Sequence, residues 1–344
     1  MKVVLELATL SASVGLIAMI PLLMGMSWSA IVDVLGGLSI TTLGALLLLW
    51  FATLLAHTVV LTAALPGLST RRALLLNLSG SAVSNVLPFG GAAGMGLGYV
   101  MARRWGISPA SFASFTAISN LWNVVGKLVV GSGLLCGATM IGVQLPPTLN
   151  GILAIGSATV LVLVVAAALA LTPAGASRVV TSCLTRLING ALAWCRSARR
   201  VDVEAAICDA REITWDVVAK GWARLTFGIL GYMSLQAILL AACLGAAGAH
   251  APWQAIAVAF GVERLLTIVP LTPGGSGLAE LGSVAVLVGL GVEPVTAAAG
   301  VLLYRMFTFL LQIPVGGLSA LVWFRFSRVR AGSQVALPSP AAYK

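Results

Sequence analysis

The stretch Val269-Pro270-Leu271-Thr272-Pro273-Gly274-Gly275-Ser276-Gly277-Leu278-Ala279-Glu280 lies inside an apolar run from Pro252 to Val292. A helix does not pass through it, because proline removes a backbone donor and clashes with the preceding turn, and glycine is poorly helical. The arms on either side are too hydrophobic for a surface loop. A second stretch, Ala73 to Met101, repeats the design around Pro88-Phe89-Gly90-Gly91. Basic pairs, Arg71-Arg72 and Arg103-Arg104, flank it and place both its ends on one side of a membrane. Its arms of about 15 residues reach roughly 22 Å as helix, short of a hydrocarbon core of about 30 Å. This predicts a re-entrant hairpin. The first arm of the 252–292 stretch is longer, and there re-entrant hairpin and tight helical pair both stay open.

Six further segments are long and apolar enough to span simply: Val3 to Met26, Ile40 to Leu65, Pro109 to Ile141, Leu149 to Leu171, Gly221 to Ala249 and Pro294 to Phe324. Lys2 before the first resembles a signal-peptide start, but the long run without a clear A-x-A site reads as a span. With 59% hydrophobic and 9% charged residues and a mean hydropathy of +1.04, the chain is excluded from the water-soluble class. The formal charge of +10 does not point to nucleic acid, because the cations lie between apolar runs rather than in one patch. With the N-terminus inside, and Arg224 counted as cytoplasmic at the inner end of its span, 17 of the 20 Lys and Arg fall on cytoplasmic segments, none falls in an outer loop, and Lys127, Arg264 and Arg305 lie within apolar stretches. Five cysteines, widely spaced and without a CxxC pair, support neither a disulfide framework nor a metal site, and no cofactor is expected.

The expected fold class is all-α: a polytopic integral membrane protein of six transmembrane helices and two broken or re-entrant helical hairpins in an inverted repeat. One membrane domain covers 1–330, with repeat 1 at about 1–141 and repeat 2 at about 149–330. The second repeat includes a cytoplasmic segment, 172–220, in which Val180, Leu184, Leu187, Ala191 and Cys195 form one apolar stripe suited to the inner leaflet. Residues 331–344 read as a disordered cytoplasmic tail. The repeat has an echo in sequence. Pro88 to Pro109 and Pro273 to Pro294 are each 21 residues apart, and Gly106-Ile107-Ser108-Pro109 matches Gly291-Val292-Glu293-Pro294. The same alignment sets Asn120 against Arg305, Lys127 against Gln312 and Gly131 against Gly316.

Broken backbone at membrane depth must be covered by protein or line a polar cavity, so the two breaks mark the site. A helix restarting at Ser276 points its N-terminus inward and offers N–H groups to an anion such as a phosphate. Gly274, Gly275 and Gly277 allow close approach there. Glu280 lies in the first turn of that helix; Glu263, Arg264 and Arg305 lie in neighbouring arms and need partners at such depth. Glu280 with Arg305 is the expected pair. Glu263 and Arg264, adjacent in sequence, are expected to face apart and to find partners elsewhere. Lys127, one turn from Asn123, is a candidate headgroup contact. At the first break Asn77, Ser79, Ser81, Ser84 and Asn85 read as helix-packing glue beside the glycine run 90–98, with Asn85 also a candidate substrate contact. His57 reads as a satisfied interior histidine. No nucleophile with an adjacent base, HExxH helix or P-loop is present, so no enzyme activity is expected.

Asn85-Val86-Leu87-Pro88-Phe89-Gly90-Gly91, the 269–280 stretch and Leu303-Tyr304-Arg305 resemble the lysylphosphatidylglycerol synthase transmembrane-region family, a flippase-like membrane domain, over nearly the whole chain. The resemblance implies movement of aminoacylated or other phospholipids between leaflets, with Gly274, Gly275, Gly277, Glu280 and Arg305 as motif positions. At the first break many relatives carry an Arg and a Glu where this chain has glycines and alanines, so charge is expected from the second break alone. A stand-alone member without an aminoacyl-transferase domain is expected. The expectation is thus a lipid transporter of the bacterial cytoplasmic membrane, both termini cytoplasmic, whose partner is a membrane phospholipid or glycolipid. The alternatives are a small-solute or ion-coupled secondary transporter and a non-transporting scaffold.

Overall fold

Among the described residues four helices are long and apolar enough to cross a membrane: Ile40–Ala64, Pro109–Met140, Thr214–Ala246 and Pro294–Arg325. Each coincides with a span read from the sequence. They come from a computed structural model that describes residues 17–22, 26–86, 90–143, 151, 158, 203–268 and 275–333. In chain order the elements are α1 (Trp28–Gly36), α2 (Ile40–Ala64), α3 (Thr70–Val86), α4 (Gly90–Arg104), α5 (Pro109–Met140), α6 (Val203–Ala246), α7 (Trp253–Leu266), α8 (Leu278–Gly289) and α9 (Pro294–Arg305). A π-helical turn, Met306–Leu310, joins α9 to α10 (Gln312–Ser333). Most of the expected spans Val3 to Met26 and Leu149 to Leu171 lies outside the described residues, as do the amphipathic stripe, the tail beyond Ser333 and the break residues 87–89 and 269–274.

The helix starts follow capping chemistry. Ser39 accepts from the Thr42 N–H at 3.1 Å to open α2, and Ser108 accepts from Ser111 at 3.0 Å to open α5 with Pro109 behind it. α6 differs from expectation by beginning well before Gly221. No glycine or proline interrupts Val203 to Lys220, so the helix runs on for 44 residues, about 66 Å, roughly twice the hydrocarbon thickness. Its first part therefore projects from the membrane, in keeping with the exposed Asp216–Lys220 pair at 2.6 Å.

Both broken stretches form helical pairs, α3 on α4 and α7 on α8. A Cβ on Gly94 would lie 2.6 Å from the Gly80 carbonyl oxygen, so the α3–α4 crossing admits no side chain there, whereas Gly91 and Gly96 face open space. The span after each helical pair packs on the first arm of the other pair: α5 on α7, and α10 on α3. Gly131 marks the first crossing, where a Cβ would stand 3.0 Å from the Gly261 carbonyl oxygen. Gly316 marks the second, 2.7 Å from the Leu78 carbonyl carbon. α2 packs along α6 between these two assemblies.

A left-handed glycine ends a helix at Gly106, Gly142, Gly248 and Gly291, and two of these ends share the same exit into the next helix. Gly106 and Gly291 take φ of 81° and 88°, a left-handed conformation that glycine adopts without a Cβ penalty. The next N–H closes back on the preceding helix in both, Ile107 to the Ala102 carbonyl at 3.1 Å and Val292 to the Leu287 carbonyl at 3.0 Å. A capping side chain and a proline follow each time, Ser108-Pro109 and Glu293-Pro294. The outer surface carries large apolar side chains turned away from the protein, among them Leu48 at 73% and Phe227 at 71% exposure, as a lipid-facing surface requires.

Candidate functional site

A cavity of about 430 Å³ opens where α3, α4 and α7 meet α2, α5, α6 and the α9–α10 span. Its lining is polar for a membrane interior. α3 contributes Asn77, Ser81, Ser84 and Asn85; α5 contributes Asn120, Asn123 and Lys127; α7 contributes Glu263 and Arg264; and the last span contributes Arg305 and Gln312. The α3 residues were read as packing glue; Ser84 and Asn85 do bond across helices, to the Gly90 and Phe309 carbonyls, and four of the five also face the cavity. Ser79 is the exception, buried with its hydroxyl unpartnered among the described residues. The polar side chains recur at three- and four-residue spacing along α3 and α5, so one face of each helix is polar toward the cavity while the opposite faces meet lipid or core.

Charge is concentrated on one wall. Arg264 ends α7 and is 5% exposed; its guanidinium bonds the Glu263 carboxylate and the Gln236 side-chain oxygen, and donates to the Tyr304 hydroxyl at 3.0 Å. It also stands 4.7 Å over the Phe260 ring. Arg305 closes α9: its Nε donates to Glu280 Oε1 at 2.6 Å, its Nη2 to Ser276 Oγ at 3.3 Å, and its Nη1 lies 3.7 Å from Glu263 Oε1. A continuous chain thus runs from Gln236 through Arg264, Glu263 and Arg305 to Glu280. Two guanidinium and two carboxylate charges offset one another's desolvation, which isolated ions at this depth would not survive.

The pair expected from the sequence, Glu280 with Arg305, is formed. Glu263 and Arg264 each find the partner elsewhere that was expected, Arg305 for one and Gln236 with Tyr304 for the other, but the expectation that they face apart is corrected: the two also bond each other, because the long arginine side chain folds back across the last turn of α7 to reach its neighbour. The expected anion site at the start of α8 is corrected too. The Gly277 N–H donates to Glu280 Oε2 at 2.7 Å, so the protein's own carboxylate caps this N-terminus. Gly275, Ser276, Gly277 and Glu280 are buried behind the cavity wall rather than in it. Gly275 has φ +70°, and a Cβ on it would stand 3.0 Å from Thr267 Cα, so its role is to let the α7–α8 connection close. Gly274 lies outside the described residues.

Asn85 reaches across to the last span, its Nδ2 donating to the Phe309 carbonyl inside the π turn at 3.2 Å. His57 lines the cavity and stacks on Tyr232 with ring centroids 4.6 Å apart. Sequence reasoning missed Gln236, Tyr232 and Tyr304. The available signal for Gln236 was a lone amide in the middle of an apolar span, and for Tyr304 its place beside Arg305. Among the described residues no group of three His, Cys, Asp or Glu side chains is placed to hold a metal ion.

A model of the family described as Lysylphosphatidylglycerol synthase TM region matches residues 4–316. The chain belongs to this family. No curated protein matches it. As a member of the lysylphosphatidylglycerol synthase TM region family it is a multi-pass membrane protein of a group linked to phospholipid handling. The matched span contains both helical pairs, the whole charged chain and every cavity-lining residue.

Proposed function

We propose that this protein is a flippase-like lipid transporter of the bacterial cytoplasmic membrane, without enzymatic activity, that passes a phospholipid or glycolipid headgroup between leaflets through the cavity. The observation that carries this reading is the cavity itself: a polar space of about 430 Å³, within the usual range for ligand pockets, surrounded by helices whose outer faces suit lipid tails. A headgroup needs polar partners while it crosses, and hydroxyls, amides and three cationic side chains supply them.

The architecture supporting it is an inverted repeat of two re-entrant hairpins with both termini cytoplasmic. The shared sequence of turn, capping side chain and proline at Gly106 to Pro109 and Gly291 to Pro294, and the exchange of packing partners, α5 on α7 and α10 on α3, support duplication. Purified protein in vesicles with a fluorescent phospholipid and a quencher confined to the outside tests the function. Accelerated loss of inner-leaflet fluorescence relative to empty vesicles is expected. Movement of soluble anions with no lipid movement would favour a small-solute transporter instead.

A further inference from the structure

We propose that the cavity selects a headgroup with a net negative charge, held through a phosphate oxyanion by Lys127, and disfavours a headgroup with a net positive charge. This rests on the lipid-transport reading and names the substrate class of that same site.

The argument is one of charge matching. Besides Lys127, the ionisable side chains on the cavity wall are His57, Tyr232, Glu263, Arg264 and Arg305. Glu263 is bonded by Arg264 and stands 3.7 Å from Arg305, while Arg305 is also held by Glu280 behind the wall. The two carboxylates and two guanidinium groups cancel. Lys127 is left over: among the described residues its ammonium has no ion pair and no hydrogen bond. An ammonium at membrane depth needs an anion or water, and the cavity is where either can reach it. Protonation of His57 would only add to the positive balance.

A second, independent feature stands one helical turn away. Asn123 faces the same cavity, and its buried Oδ1 has no hydrogen-bond partner among the described residues. A buried acceptor left open calls for a donor from the ligand. Lys127 and Asn123 at i and i−4 therefore present a cation beside an open acceptor, which matches a phosphodiester oxygen beside a hydroxyl on one headgroup. A cationic headgroup meets Lys127 with like charge, and to use Glu263 it must compete with two guanidinium groups already there.

The test uses the full chain in phosphatidylcholine vesicles carrying fluorescent phosphatidylglycerol or fluorescent lysylphosphatidylglycerol, with binding of each unlabelled lipid, and of inorganic phosphate, read separately by native mass spectrometry. Phosphatidylglycerol is expected to move and bind in preference to the lysyl form, with Lys127→Gln reducing that preference about tenfold, the scale of one charge-assisted hydrogen bond, and Lys127→Arg retaining it. Equal or faster movement of lysylphosphatidylglycerol overturns the charge assignment and leaves the transport reading standing. An unchanged preference in Lys127→Gln overturns the role of Lys127. Phosphate binding with no lipid bound makes the ligand a free anion and overturns the lipid source. No lipid moved or bound by the wild-type protein overturns both readings.

Discussion

Arg305 Nε and Glu280 Oε1 meet at 2.6 Å, while the other oxygen of the same carboxylate holds the Gly277 N–H at 2.7 Å. One side chain thus caps α8 and anchors the span that follows it. The arginine side chain is 10% exposed, toward the cavity, and the glutamate 2%, so the carboxylate has no water as a substitute.

Arg305→Ala leaves the buried Glu280 without its ionic partner, at a cost of about 3–5 kcal/mol, while Glu280→Ala leaves Arg305 with only the more distant Glu263 at 3.7 Å and removes the Gly277 cap. Both are expected to lower the yield of monodisperse protein in detergent and its thermal midpoint. The exchanged pair Glu280→Arg with Arg305→Glu should recover part of the loss but not all, because the Gly277 cap needs a carboxylate at 280. Full stability of either single variant would show the pair to be unimportant to the fold.

Gly94→Ala forces a methyl group against the Gly80 carbonyl at the α3–α4 crossing and is expected to destabilise by about 1–3 kcal/mol. Gly91→Leu meets open space on the cavity side and should leave the thermal midpoint unchanged while slowing lipid movement. Thermal unfolding and the vesicle assay separate the two effects. If both variants unfold alike, the assignment of Gly91 to the cavity face is wrong.

Glu293 caps α9 outside the span. Burial alone would raise its carboxyl, but the backbone N–H groups of Thr296 and Val295 and the Thr296 hydroxyl bond the charged form and hold it below the usual carboxylate range. A carboxylate depressed in the folded state stabilises above its unfolded value, about 4.3, and loses that contribution as pH falls through the folded value. Thermal midpoints measured downward from about pH 5 should fall less steeply in Glu293→Gln than in the wild type. Parallel pH profiles would remove the cap from the account of acid stability.

Single cysteines in a cysteine-free background test the topology. Cysteine at Arg103 is expected to react only with reagent delivered from the cytoplasm, and cysteine at Pro252 only from the opposite side. Labelling of Pro252 from the cytoplasm would overturn the inverted arrangement.

The four described spans were legible because about 20 consecutive apolar residues have few stable alternatives to a membrane helix. Helical pairs around the breaks were legible for a related reason, since Pro88 and Pro270 to Gly277 interrupt runs too apolar for a surface loop. The Glu280–Arg305 pair followed from the cost of burying either charge alone. The ionic partners of Glu263 were not legible, because adjacency on a helix separates the backbone positions but leaves a long arginine side chain free to fold back. Nor was the occupied N-terminus of α8: Gly277 and Glu280 stand in capping-box spacing, but the same glycines equally suit an open anion site. The start of α6 was misplaced because hydropathy marks where a membrane ends, not where a helix does.

The bond from Asn85 to the Phe309 carbonyl has a mechanical consequence. Phe309 lies in the π turn directly after Arg305, so the first helical pair grips the last span at the point where its winding is loosest. If α3 slides, the carbonyl either travels with it or gives up its donor in a water-poor place, at about 1–3 kcal/mol. The amide therefore adds a directional tie to the α10–α3 crossing, one turn beyond Arg305, so that α3 and the end of the charged chain keep a common register.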